Sequence, residues 1–419
     1  MKEIDEINHL IKNHHEFIAS SIPLIASENI TSLAVRRALM SDLQHRYAEG
    51  LPGKRVYAGC EFIDRIELLA IELAKEMFNA DHANVQPTSG SVANTALFAA
   101  FTKARDTMMA LNIKDGGHIS MSKVGIAGKF GLNISYLPFD IYEMNIDVDR
   151  AAKLIRETEP KLVLFGASVF LFPHPVKELR DVAKEVNAVV AYDASHVLGL
   201  IAGKRFQHPL KEGADVVTSS THKTFFGPQH GIILCREEFA ESIDRAVFPG
   251  VVSNHHLHCV AALAIALCEM KAFGEEYAKQ TVKNAKALAS ALADEGFKVI
   301  AEHKGYTESH QVLVDVEDIG GYRAEKMLEK ARILVNRNLL PHDRERSRNF
   351  RDPSGIRIGV AEVTRLGMKE DDMEEIARCI ADVLLHKRDP EKVAARVADL
   401  RKNYTKVEYS FDENEAHIW

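Results

Sequence analysis

The stretch Ala214–Cys235, ADVVTSSTHKTFFGPQHGIILC, decides the fold. DVVTS and HGIIL are β-branched, apolar runs of strand length, so two buried strands are predicted. Between them stands a tight segment of Ser, Thr and His that ends in Gly227-Pro228. Lys223 lies in that segment, just past a strand end. A lone lysine in a turn is ordinarily a solvated surface residue, and what changes its reading is the company it keeps.

Outward from this stretch the pattern alternates. KLVLFGAS, AVVAYD and DVVTS read as strands, SVANTALFAAFTKA and VKELRDVAKEV as helices. Continuous apolar strands separated by helices predict a parallel sheet covered on both faces, with function gathered at the carboxyl ends of its strands. EFIDRIELLAIELAKEMF repeats Phe62, Ile66, Leu69 and Leu73 on one helical face, which is expected to pack on the core. The opening segment carries Ile4, Ile7, Ile11 and Ile18 at helical spacing and reads as an amphipathic arm. After Phe273 the texture changes to helix VKNAKALASALADEG, strands FKVIA and QVLVDV, helix RAEKMLEKA, strands ILVN and GIRIG, and helix MEEIARCIADVLL. That mixed order predicts a smaller α+β domain with antiparallel strands. The expected divisions are an arm at 1–30, a large domain at 31–275 and a small domain at 276–419.

Composition bounds the function. The chain has 419 residues, 46% hydrophobic and 27% charged, as in a globular protein with a sizeable core. A formal net charge of -7 argues against nonspecific binding to nucleic acid or an anionic membrane. Cys60, Cys235, Cys259, Cys268 and Cys379 form no CxxC pair and suit reduced thiols, and MKEIDEINHLIKNHHEF has no secretory apolar core, so a cytoplasmic location is expected. VAALAIALCEM is too short a run to span a bilayer and reads as a buried helix. His255, His256 and His258 are closely spaced without evident carboxylate partners, and no metal site is expected from them.

Three features converge on the strand ends near Lys223. Asp193 closes AVVAYD, where a buried carboxylate needs a cation, such as a pyridinium nitrogen, or several hydrogen bonds. A helix N-cap is an equally good reading of that aspartate alone. TSGSVAN puts Ser89, Gly90 and Ser91 where a loop enters a helix, a cup for phosphate or an ordinary cap. Phosphate cup, aspartate and lysine in this chain order suit pyridoxal phosphate: the cup holds the phosphate, the carboxylate keeps the ring nitrogen protonated, and the lysine forms a Schiff base. His118 of DGGHIS, on the loop after another strand, could stack on the ring.

LIASENITS, RYAEGLPGKRVYAGCEFID, ANVQPTSGSVAN, DGGH, AYDASHVLGLIAG, STHKT and SGIRIG follow one another between Leu24 and Gly367. Together they resemble serine hydroxymethyltransferases, and VFPGVVSNHHLH is similar to the archaeal branch. The resemblance implies the aspartate-aminotransferase-like fold (fold type I), with a mainly parallel seven-stranded sheet in the large domain. It implies conversion of serine to glycine, through an external aldimine and a quinonoid intermediate, with the one-carbon unit passed to tetrahydrofolate or tetrahydromethanopterin.

It also implies roles for particular residues. Lys223 would hold the cofactor, with His222 beside it; Asp193 would pair the ring nitrogen; His196 and Ser168 would stand near the ring oxygen. Ser89, Gly90 and Ser91 would bind phosphate, Gly250 would contribute to the cofactor site, and His118 would stack on the ring. Arg357 would take the substrate α-carboxylate, helped by Ser27 and Gly117, and Asn338 would touch the pterin. Tyr47, Glu49 and Tyr57 would come from the second subunit of a homodimer with shared sites. Glu49, partly desolvated, would carry a proton near neutral pH. Gln229 departs from the arginine of many relatives. A diglycine that holds phosphate across the dimer is also missing; Ser253 and Asn254 stand in that region and could donate hydrogen bonds. The rival readings are a pterin-independent aldolase for β-hydroxy amino acids of the threonine type, and a non-catalytic scaffold that touches RNA.

Overall fold

In the computed structural model, which describes residues 2–346, 348–412 and 414–417, the β-branched runs become the centre of a sheet. Its seven strands are β1 (His82–Asn84), β2 (Thr107–Ala110), β3 (Asn133–Tyr136), β4 (Leu162–Phe165), β5 (Val189–Asp193), β6 (Val216–Ser220) and β7 (Gly231–Cys235), in the order β1-β7-β6-β5-β4-β2-β3. Pairing is parallel from β6 across to β3, and every residue of β4, β6 and β7 is buried. Only β7 runs against its neighbours β6 and β1. The 221–230 connection is a turn, too short to hold the crossover a parallel pair requires. The carboxyl ends of β5 and β6 are Asp193 and Ser220, in adjacent strands where Asp193 pairs in register with Thr218.

The chain divides into two compact units, Ala34–Ala278 and Met1–Leu33 with Lys279–Trp419. The arm read at 1–30 thus falls in the same unit as the C-terminal part. Ile22 and Leu24 belong to that unit's core, beside Val312, Val314, Ile356 and Ile358, and Ile22–Pro23 pairs with Ile333–Leu334. The helix Lys2–Ala19 before them has no buried residue. A four-stranded sheet organises this unit: β8 (Lys298–Val299), β9 (Gln311–Asp315), β10 (Asn336–Asn338) and β11 (Gly355–Gly359), in the order β8-β9-β11-β10. All three pairings are antiparallel.

Two expectations about helices need correction. VAALAIALCEM and VKNAKALASALADEG are parts of one helix, Leu257–Asp294, 38 residues long. It is long and apolar enough to cross a membrane by length and composition, yet 61% of its apolar window is buried against protein, which marks a core helix. Gly274, where the reading broke the pattern, serves a close approach: a Cβ there would meet Met270 Sδ at 2.6 Å, and one on Gly203 would meet the Gly274 carbonyl at 2.3 Å. The unit boundary falls inside this helix, so no linker marks it.

The second concerns the helix Glu61–Phe78. It buries Ile63, Glu67, Ala70, Ala74 and Phe78, whereas Phe62 and Leu69 are 68% and 56% exposed. The helix has two apolar stripes, and the one richer in large side chains faces away from the chain's own core.

The smaller unit also holds a buried carboxylic acid. Burial, then the nearby Glu28 carboxylate, pushes Glu362 up to about 8 against the pull of Arg401. From the ordinary value of 4.5 up to about 8 the unfolded chain has released this proton while the folded chain keeps it, so stability falls as pH rises through that window. Glu362→Gln is expected to flatten the fall. Denaturant midpoints taken at about pH 5 and about pH 9 should differ less in the variant than in the parent.

Candidate active site

The turn after β6 is held on both flanks. Thr221 donates its hydroxyl to the Pro228 carbonyl at 2.7 Å, and Gly227 N–H donates to the Thr221 carbonyl at 2.8 Å. Thr224 ties the same turn to the segment after β5, donating to the His196 carbonyl at 2.9 Å and accepting from Gly199 N–H at 3.1 Å. Lys223 is therefore fixed at its backbone. Its ammonium donates to Ser220 Oγ at 2.5 Å, at the very end of β6.

From Lys223 an unbroken series of hydrogen bonds crosses the strand ends. Ser220 N–H donates to Ser195 Oγ at 3.0 Å, and Ser195 N–H donates to Asp193 Oδ1 at 3.0 Å. The other carboxylate oxygen accepts from Asn94 Nδ2 at 2.8 Å, while the Thr218 hydroxyl donates to Asn94 Oδ1 at 2.6 Å. Asn94 Nδ2 also reaches Ser120 Oγ at 3.4 Å, and Ser120 holds His118 Nδ1 through its hydroxyl at 2.7 Å and its N–H at 3.2 Å. Asp193 is buried, and it closes a turn onto Ser195 rather than capping a helix; the next helix, Leu198–Ala202, has Val197 as its N-cap. The series joins His118, Asp193 and Lys223, three residues singled out in the sequence, through Ser120, Asn94, Ser195 and Ser220, which were not. Asn94 left a faint signal: with Ser91 and Thr95 it is one of three polar side chains on an otherwise apolar helical stretch.

The helix Gly90–Phe101 points its N-terminus at the same place. Ser89 caps it, accepting from Val92 N–H at 3.2 Å, and its carbonyl takes Ala93 N–H. The amides of Gly90 and Ser91 remain as the orphan donors of the first turn. A Cβ on Gly90 would lie 2.9 Å from Ser220 N and 3.1 Å from Ser195 Oγ, so only glycine lets the cup sit against the Lys223 strand end. His222 Nδ1 is buried and has no hydrogen-bond partner among the described residues; burial and the Lys223 charge hold the imidazole down to about 4. Orphan amides, serine hydroxyls and an unsatisfied imidazole nitrogen form a donor set that matches a phosphate group. The Lys223 amine and the Asp193 carboxylate, joined through Ser220 and Ser195, match the two ends of a pyridine aldehyde. The chain's own groups fit pyridoxal phosphate.

Nearby loops complete this face. Gly116 accepts Ser168 N–H at 2.7 Å, and Gly117 N–H donates to the Asn112 carbonyl at 2.8 Å, so Ser168 and the DGGH loop hold one another. His196 is buried, and Gly250 lies exposed in the segment Ala246–Val251.

Tyr47, Glu49 and Tyr57 stand apart. Their side chains make no hydrogen bond with this series among the described residues. The Tyr47 and Tyr57 rings lie 5.0 Å apart and are 48% and 45% exposed. The Tyr57 hydroxyl is raised by desolvation and by the adjacent Glu49 carboxylate. Asn254 binds the backbone of the 46–48 segment: its Oδ1 accepts Ala48 N–H at 2.9 Å and its Nδ2 donates to the Arg46 carbonyl at 3.4 Å. One further expectation needs correction. His255 does have a carboxylate partner, Glu67, at 3.0 Å.

In the smaller unit, Arg357 lies in β11 opposite Asn336 of β10, and its Nε donates to Asn336 Oδ1 at 3.1 Å. Burial pulls its guanidinium down to about 10, so it remains charged at neutral pH. Asn338, two residues along β10, faces Gly355 on the same side of the ladder. Ser27 is half-buried in the segment after Ile22–Pro23. Asn336 was missed in the sequence, because its meaning depends on the register between VNRN and GIRIG.

The sheet order and its strand-end lysine define a fold type I enzyme. A crystal structure of L-threonine transaldolase from Pseudomonas fluorescens, in its internal aldimine state, superposes with a TM-score of 0.90 over 98% of this chain and 94% of that one, at 31% identity. The serine hydroxymethyltransferase family model matches residues 1–380. Serine hydroxymethyltransferase from Korarchaeum cryptofilum is 58% identical over 97% of this chain and 96% of its own, and that from Methanopyrus kandleri 55% over 100% and 98%. The chain belongs to the serine hydroxymethyltransferase family, whose members depend on pyridoxal phosphate.

Proposed function

We propose that this chain converts L-serine and a reduced pterin, reversibly, into glycine and the 5,10-methylene pterin. The observation that carries the reading is the continuous hydrogen-bonded series from His118 through Asp193 to Lys223, set against the N-terminus of the helix Gly90–Phe101. Bound there, pyridoxal phosphate supplies a sink for the electron pair of the serine Cα–Cβ bond.

The chain's residues do the rest. Gly90 and Ser91 amides, the Ser89 and Ser91 hydroxyls and His222 hold the phosphate, with Gly250 contributing to the same site. Asp193 keeps a proton on the ring nitrogen, and Asn94 and Ser195 hold its carboxylate in place to do so. His118, oriented by Ser120, covers the ring face. Ser168 and His196 would address the ring oxygen, and Lys223 would hold the cofactor's aldehyde carbon through its amine. Arg357, aimed by Asn336, takes the substrate carboxylate, assisted by Ser27 and Gly117, and Asn338 meets the pterin. Glu49 holds or moves the proton on the substrate hydroxyl oxygen.

Arg357→Lys is expected to raise the KM for serine about 100-fold, with cofactor affinity unchanged. An ammonium cannot reproduce two parallel donors to a carboxylate, and Asn336 would lose the group it aims. Glycine titration of the holoenzyme checks the same site; unchanged affinity would remove Arg357 from it.

A homodimer with shared sites fits the exposed surface. Met40, Val56, Phe62 and Leu69 are 70%, 70%, 68% and 56% exposed, all within the stretch that carries Tyr47, Glu49 and Tyr57. Large apolar side chains exposed along one stretch support an interface there. The buried thiols of Cys60, Cys235, Cys259 and Cys379 suit a reducing cytoplasm, and neither nucleic acid nor membrane is part of the reading.

The likeness to L-threonine transaldolase favours a second reading, aldol cleavage of β-hydroxy amino acids without a pterin. One assay separates the two: serine cleavage measured alone, with tetrahydrofolate, and with tetrahydromethanopterin. Strong acceleration by either carrier is expected; no response to both would favour the aldolase.

A further inference from the structure

The loop that carries Tyr47, Glu49 and Tyr57 exposes both tyrosines and is pinned at its backbone from Arg46 to Gly50. Each carbonyl from Arg46 to Gly50 has a partner. Arg46 accepts from Asn254 Nδ2, Tyr47 from the Cys60 thiol at 3.8 Å, Ala48 from Arg55 Nη1 at 3.1 Å, and Glu49 from Val56 N–H at 3.1 Å. Gly50 accepts from Arg55 Nη1 and from Gln86 Nε2. The Ala48 amide is held by Asn254 as well. An exposed loop has water for these groups. Here protein supplies them all.

The pins on Ala48 and Gly50, made by Arg55 and Gln86, share one root. Arg55 donates Nη2 to Glu67 Oε2 at 2.5 Å and Nε to Asp64 at 2.7 Å. Gln86 donates to Glu67 Oε1 at 2.7 Å, and His255 Nε2–H donates to Glu67 Oε2 at 3.0 Å. The side chains of Arg55, Glu67 and His255 are 4%, 2% and 0% exposed. Burial alone would raise the Glu67 carboxyl; the hydrogen bond and charge of His255, then Arg55, outweigh it and hold the group below its ordinary range. A buried ion pair of this kind adds little net stability over an apolar packing, and registry is its best-attested use. Asn254 and His255 are consecutive, so one segment grips the loop directly and grips its root.

We propose that Glu67 and His255 are positioning residues, a buried clamp that fixes the backbone of the 46–57 loop so that Tyr47, Glu49 and Tyr57 are presented to the active site of a second copy of this chain. This rests on the shared-site homodimer reading above. The clamp touches neither substrate nor cofactor; it acts on kcat through the loop.

The test uses full-length holoenzyme. His255→Leu removes the donor to Glu67, Glu67→Gln removes the charge, and His255→Gln returns an amide donor at the reach of Nε2. His255→Leu and Glu67→Gln should keep the visible absorbance of bound cofactor and the dimer mass while kcat for serine with pterin falls about 10- to 100-fold, and His255→Gln should restore most of it. If Glu67→Gln does not fold, His255→Leu decides alone. Each clamp variant is then mixed with Lys223→Ala chains. One of the two sites in a hybrid dimer has both an intact loop and Lys223, so about a quarter of all sites should regain activity. Glu49→Gln mixed with Lys223→Ala is the control. Wild-type kcat in His255→Leu, or loss of its cofactor absorbance, overturns the clamp. So does recovery in the control without recovery in the clamp mixtures, which would place the defect in the clamp chain's own site. No recovery in the control, with subunit exchange proven, overturns the shared-site reading and the clamp's role with it.

Discussion

Replacing Lys223 with alanine is expected to lower serine turnover by about 10⁴-fold with the fold intact. The turn does not depend on the side chain. Thr221, Gly227 and Thr224 hold it through the carbonyls of Pro228, Thr221 and His196, and none of those bonds involves the ammonium. Alanine leaves Ser220 Oγ without its 2.5 Å donor and leaves the strand end without a nucleophilic amine. The phosphate cup is untouched, so the variant should still take up cofactor, with its visible spectrum changed because no protein amine holds the aldehyde. Steady-state kinetics and an absorbance scan check both parts. Turnover within about tenfold of the parent would return Lys223 to the solvated turn residue it resembles in isolation.

Asp193→Asn is expected to cost roughly 10²- to 10³-fold in kcat at nearly unchanged stability. The substitution is close to isosteric, and its hydrogen bonds can be rearranged. The introduced amide can still accept Ser195 N–H through its oxygen. Its new N–H donor would meet Asn94 Nδ2, but Asn94 can turn over, because the Thr218 hydroxyl that donates to its Oδ1 at 2.6 Å can rotate to accept instead. What cannot be rearranged is charge. A neutral amide does not keep a proton on a pyridine nitrogen, so the electron sink weakens while the cofactor still binds. Thermal unfolding and kcat measured on the same preparation separate the two effects. Near-normal turnover would reduce Asp193 to a turn-forming residue.

Much of this was legible in the chain itself because the signals are local. DVVTS, HGIIL and AVVAYD carry a strong local strand signal and form strands here, and the order of phosphate cup, aspartate and lysine follows from which residues stand at strand ends. The seven motifs from LIASENITS to SGIRIG carried the family. What escaped depends on partners distant in sequence. The helix Glu61–Phe78 offers two apolar stripes, and the one that turns inward is the stripe carrying Glu67, because Arg55, Gln86 and His255 are there to receive its carboxylate. Asn254 finds its partners more than two hundred residues back, at the backbone of residues 46 and 48. Asn94 and Asn336 gain meaning only from what stands opposite them, an aspartate on another strand and an arginine across a ladder.

The whole reaction rests on the Lys223 amine, just past the end of β6, holding the cofactor. Hydride reduction of the holoenzyme, followed by proteolysis and peptide mapping, fixes the cofactor to the amine that bears it. The pyridoxyl group should be found on the peptide containing Lys223, with stoichiometry near one per chain. Its appearance on another lysine, or a holoenzyme that takes up no label, would take this role away from Lys223.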